Sequence, residues 1–287
     1  MTPSIIDTVL EASRLALLFF AGLFLPVMLQ LLLLFSIGWA LRGLMYRVSS
    51  NIATLLDLIG TPIHELSHAL GSLLTLGGVA AVKLLIDEVS TAFVAPKRPN
   101  VISRIVASLA PLFVGTFVLW LTAIYIIPGF EVPTIEPPQL DLASAANLGT
   151  VLRESVGYLG RFVQSAYEGL PGLQWDNWRT YAGLYIAFSV GIGIAPSGQD
   201  LKIFLTAVPV AAILIVGLFT LLYLDGNLEA QFARWQQTLA PLLLKFSTAI
   251  TYAFVLTSVG IPILLIVRLF QSVGTGEPEP AEGDQPS

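Results

Sequence analysis

Residues Leu15–Leu41 form a run of 27 without one charged side chain. About 20 helical residues cross the hydrocarbon core of a bilayer, so a run this long has one stable destination, a membrane-spanning helix. It is too long for the apolar stretch of a cleavable signal, and no small-residue cleavage site follows it. Four more uncharged runs succeed it: Ile105–Phe130, Thr180–Gln199, Ile203–Leu224 and Phe246–Val267. A sixth apolar segment, Val48–Val82, is interrupted by Asp57, His64, Glu65 and His68. The expected fold is an all-α polytopic membrane protein with about six transmembrane helices.

Composition narrows the function classes. Only 11% of the 287 residues are charged and 55% are hydrophobic, against about 25% charged in a soluble domain. Mean hydropathy is +0.80. A soluble enzyme and a disordered regulator do not fit these numbers. A net charge of −5 offers no basic field for nucleic acid. The absence of cysteine excludes disulfides, thiol nucleophiles and thiolate-ligated metals.

Three stretches between the spans are informative. Val82–Phe93 places β-branched residues around Asp87-Glu88 and predicts a short β-hairpin. Residues 131–179 form one long extramembrane loop. Within it Leu148, Leu152, Val156, Leu159, Val163 and Tyr167 recur at helical spacing. Trp175 and Trp178 follow, as on an amphipathic helix at the membrane interface or a small helical cap. Residues 1–270 are thus read as one integral membrane domain. Residues 271–287, rich in acids, Pro and Gly, are read as a disordered tail.

The chain has two histidines, and both fall in His64-Glu65-Leu66-Ser67-His68. Residues i and i+4 share a helix face, so both imidazoles reach one ion, and neutral imidazoles suit Zn²⁺. Glu65 lies one position along, where a carboxylate can act as general base on water. By chance such a motif arises in about 3 of 10,000 chains with two histidines, low for a short pattern. Ionisable groups at membrane depth are also costly, which makes this cluster the leading functional site. Ser67, Ala69, Gly71 and Ser72 are small enough for close helix approach. Gly60 and Pro62 can open the helix just before the motif.

A catalytic zinc commonly takes three protein ligands. With no third histidine and no cysteine, the third must be a carboxylate. Asp57, Asp200, Asp225 and Glu229 lie near spans. Asp57 precedes His64 by about 10 Å of helix and cannot reach the same ion. Asp200 follows the break Ala195-Pro196-Ser197-Gly198. Asp225 lies in Leu224-Asp225-Gly226, which also reads as a helix end with a glycine stop.

In this order, His64–His68, Gly77-Gly78, Val82–Phe93 and Ala110-Pro111 resemble the site-2 protease family of intramembrane zinc metalloproteases. The resemblance covers roughly Gly60–Leu224. Two departures stand out: Ala110-Pro111 replaces a Gly-Pro pair, and the family's Asn-x-x-Pro-x-Pro-x-Leu-Asp-Gly stretch is absent. The resemblance implies that the motif helix runs toward the cytoplasm, with the hairpin and Asp200 on that side. It therefore implies His64, His68 and Asp200 as metal ligands for Zn²⁺ and Glu65 as the catalytic residue. By the same topology Arg42 and Arg47 lie outside, and Lys and Arg divide evenly between the two sides.

The expected function is hydrolysis of peptide bonds in or near the transmembrane helix of a membrane-protein substrate. The bilayer and that substrate are the expected partners, and nucleic acid is not. A non-proteolytic metal transporter or sensor would call for further buried carboxylates. A CAAX-type membrane metalloprotease would call for a Glu ligand, with Glu229 available.

Overall fold

The computed structural model describes residues 5–48, 50–83, 93–96, 100–132, 134, 148–194, 202, 213, 216–226 and 228–275. It is predominantly helical. In chain order come α1 (Ile5–Val48), α2 (Ser50–Leu74), β1 (Val79–Lys83), β2 (Phe93–Pro96) and α3 (Val101–Leu121). A π-turn (Thr122–Ile126) ends α3. Then follow α4 (Leu148–Glu168), α5 (Trp178–Ile194) and α6 (Leu228–Thr275).

Among the described residues, three segments are long and apolar enough to cross a membrane: Phe24–Met45 in α1, Ile102–Ile126, and Ala233–Gln271 in α6. The first starts nine residues later than the uncharged run predicts, within a helix that extends past both ends of that run. The run Thr180–Gln199 is described only to Ile194, and of Ile203–Leu224 only residues 213 and 216–224 are described.

The segment Val48–Val82 is not one helix. α2 stops at Leu74, where Gly77 N–H bonds the Ser72 carbonyl at 2.8 Å and Leu76 N–H the Leu73 carbonyl at 3.1 Å. This pairing is a Schellman cap, with Leu76 (φ 59°) in the left-handed position usually held by glycine. The chain then enters β1, which pairs antiparallel with β2 through Val82 opposite Val94 and Lys83 opposite Phe93. Residues 84–92, the body of the expected hairpin, lie outside the described residues. Asn100 caps α3, its side chain accepting the Ser103 N–H at 2.6 Å.

α2, α3 and α5 form the inner layer. α3 runs antiparallel to α2, with Gly71 against Ala107 and Gly77 against Ser103. α5 runs parallel to α2: Tyr185 reaches Leu55 and His64 reaches Gly193. α1 and α6 pack along each other, with Leu41 beside Gly260, and brace this layer. Their shared core includes Leu34, Leu119, Ala187, Ile250 and Leu256.

α4 turns a second stripe toward the bundle, beside the aliphatic one whose Leu159 and Val163 also pack on the core. Val151, Ser155, Tyr158, Phe162 and Ala166 are fully buried against α1 and α6, whereas Leu152, Val156 and Tyr167 are exposed. The reason is polar. Tyr158 Oη takes the Gln30 Nε2 donor at 2.9 Å and meets Ser247 Oγ at 2.5 Å. Three polar side chains from three helices satisfy one another only if this face turns inward. Burial raises the Tyr158 phenol above its usual range, and the bonds to Ser247 and Gln30 partly offset it.

Candidate metal centre

His64 and His68 stand one turn apart on α2, with ring centroids 4.7 Å apart and planes at 84°. Their Nε2 atoms face each other at 3.1 Å. Each Nδ1 lies on a backbone carbonyl from another helix. His64 Nδ1 is 2.5 Å from Gly193 O on α5, and His68 Nδ1 is 2.8 Å from Ala107 O on α3. A carbonyl only accepts, so each Nδ1 carries the proton and donates. Both Nε2 atoms then present lone pairs to one point.

Two lone pairs at that distance require a proton or a cation between them. Nitrogen ligands at 2.0–2.1 Å on a tetrahedral zinc stand about 3.3 Å apart. The observed pair is close to that separation, and a histidine whose second nitrogen donates to a carbonyl is the usual outer-shell arrangement of a metal ligand. The donor set therefore fits Zn²⁺. Glu65, adjacent in sequence, is buried.

Proline explains why one of these carbonyls is free. Pro111 lies inside α3 and has no N–H, so Ala107, four residues earlier, has no helical donor. His68 takes the vacated acceptor. Gly193 lies in the last described turn of α5.

Close approach of the helices depends on small residues. Gly60 N–H donates to Ser189 Oγ at 2.9 Å, and the Ser189 hydroxyl donates to the Leu56 carbonyl. Ser189 thus touches both partners of one backbone turn of α2. A Cβ on Gly60 would collide with the Ser189 carbonyl, and one on Gly193 would lie 2.8 Å from the Gly60 carbonyl. On the other side, a Cβ on Gly71 would lie 2.8 Å from Ala107 Cα.

The structure brings together two of the expected ligands, His64 and His68, with Glu65 beside them. Asp200 lies outside the described residues. Among the described residues no group of three His, Cys, Asp or Glu side chains converges. Asp57 belongs to α2 and Glu229 to the first turn of α6. Asp225 is exposed at a helix end, where Gly226 (φ 68°) turns the chain. Its neighbour Tyr223 lines a depression with Asp7, Thr8, Leu10 and Glu11, at the start of α1. Sequence reasoning did not find Ala107, Ser189, Gly193 or Arg42 as parts of the site. The signal for Ala107 was present in Pro111, four residues on.

Compared with family models, curated proteins and solved structures, the chain finds no match.

Proposed function

We propose that this chain is an intramembrane zinc metalloprotease of the site-2 protease type. It would be a multi-span membrane protein with a hairpin after the motif helix, and His64, His68 and Asp200 as ligands. The observation that carries the reading is the facing pair of imidazole Nε2 atoms, each ring fixed by a carbonyl of a neighbouring helix.

Two features support Asp200 over Asp225. The described part of α5 ends at Ile194, one residue beyond the carbonyl that His64 contacts. Six further residues span at most about 20 Å, so Asp200 is within reach. Asp225, in contrast, neighbours the region of Glu11, while Arg42 reaches Ile192 beside the site. Glu11 and Arg42 are separated by about 46 Å of helix.

A zinc ion held there supplies Lewis-acid polarisation of a peptide carbonyl and a more acidic water. Glu65 takes the proton from the attacking water and delivers it to the leaving amine nitrogen. The Gly193 and Ala107 carbonyls keep both imidazoles in the tautomer that leaves Nε2 free. The substrate is a membrane helix, whose backbone must unwind locally to expose a scissile bond.

The test is cleavage of transmembrane peptide substrates by purified protein, together with its zinc content. Wild type should hold one zinc and cleave. Glu65→Gln should keep the zinc and lose at least about 100-fold in rate. Undiminished cleavage by Glu65→Gln, or wild type without zinc, overturns the reading.

A further inference from the structure

Arg42 is a cation inside the apolar segment Phe24–Met45 of α1. Among the described residues its side chain forms no salt bridge. Its partner is a carbonyl: Arg42 Nη2 donates to Ile192 O at 2.8 Å, from α1 to α5. That carbonyl has a specific need. The residue four positions on is Pro196, which has no N–H, so Ile192 lacks the α-helical donor its carbonyl would otherwise take. At membrane depth no bulk water replaces the missing donor.

Ile192 is followed by Gly193, whose carbonyl receives the His64 proton. Both carbonyls belong to the last described turn of α5, so a donor that holds the Ile192 carbonyl in that helical turn also sets where the Gly193 carbonyl points. The anchor is itself rigid: Leu41, Met45 and the Ile192 side chain are buried together in one cluster. We infer that Arg42 is a positioning residue for the metal centre, holding the last described turn of α5 so that the Gly193 carbonyl meets His64 and fixes its tautomer. This inference rests on His64 being a metal ligand, and it gives Arg42 a role unrelated to membrane orientation.

The chain has only two histidines, so ring-¹⁵N-histidine labelling of the full protein in detergent yields two imidazoles to follow. They are assigned with His64→Asn and His68→Asn. In metal-free wild type both rings should carry the proton on Nδ1. In Arg42→Met the His64 signals should move toward the Nε2-protonated tautomer, with His68, held by Ala107, unchanged. Zinc affinity should fall about 10-fold or more, as for loss of an outer-shell partner. Arg42→Lys, which keeps a donor, should restore most of both. If Arg42→Met does not fold, Arg42→Gln, too short to reach Ile192, should give the same His64 displacement.

Unchanged His64 signals and unchanged zinc affinity in the donor-free variant overturn the inference, as does an equal shift of both rings. If wild type binds no zinc while His64 alone responds to Arg42, the positioning role stands and the metalloprotease reading falls.

Discussion

The Ser189 hydroxyl bridges one backbone turn of α2, accepting the Gly60 N–H at 2.9 Å and donating to the Leu56 carbonyl. A side chain from one helix thereby joins the hydrogen bonding of another, one turn before His64. Side chains bonded into a helix ladder in this way bend it, and Pro62, two residues later, removes a donor from the same turn.

This seam predicts a contrast between two substitutions. Gly60→Ala places a methyl group against the Ser189 carbonyl and forces α2 and α5 apart, at a cost of about 1–3 kcal/mol. Ser189→Ala should cost less, since the Gly60 N–H and Leu56 carbonyl can bond each other. Thermal unfolding in detergent measures both. A Gly60→Ala protein as stable as wild type would refute the seam.

The ligand assignment predicts a second contrast, read by zinc content. Asp200→Ala should lose bound zinc, and Asp225→Ala should retain it at the wild-type level. Loss of metal in the Asp225 variant alone would reverse the assignment.

The buried trio Gln30, Tyr158 and Ser247 predicts a stability effect with a pH signature. Tyr158→Phe deprives two buried groups of a partner and should cost about 1 kcal/mol. In wild type the phenol is held above its ordinary value by burial, so the folded state keeps a proton that the unfolded chain releases near pH 10. Stability is therefore full below about pH 10 and declines as pH rises beyond it. Tyr158→Phe should lack this alkaline component. Urea unfolding from pH 8 to 11 gives the comparison, and parallel curves for the two proteins would contradict it.

The sequence made part of this arrangement legible for plain physical reasons. His64 and His68 share a helix face because four residues make about one turn, and the structure places their nitrogens together. The uncharged runs located the apolar helices, but not their ends. α1 continues to Val48 through Arg42 because that guanidinium has a carbonyl to bond, and hydropathy does not register such a partner. The inward face of α4 was not legible for a related reason. Its aliphatic spacing marks Leu148 to Tyr167, whereas the face packed on α1 and α6 is set by Tyr158, which bonds Gln30 and Ser247. Tertiary hydrogen bonds link residues more than 80 positions apart, which no local pattern contains. Gly193 and Ser189 belong to the same class, because their roles depend on which helix lies alongside.

The lengths of α1 and α6 have a consequence of their own. These helices have 44 and 48 residues, about 66 and 72 Å, against a hydrocarbon layer of about 30 Å. They run side by side in the same direction, Gln30 level with Ser247 through Tyr158 and Leu41 beside Gly260. Because α1 leads almost directly into α2, which runs back the other way, both long helices begin on the face where α2 ends and β1 begins.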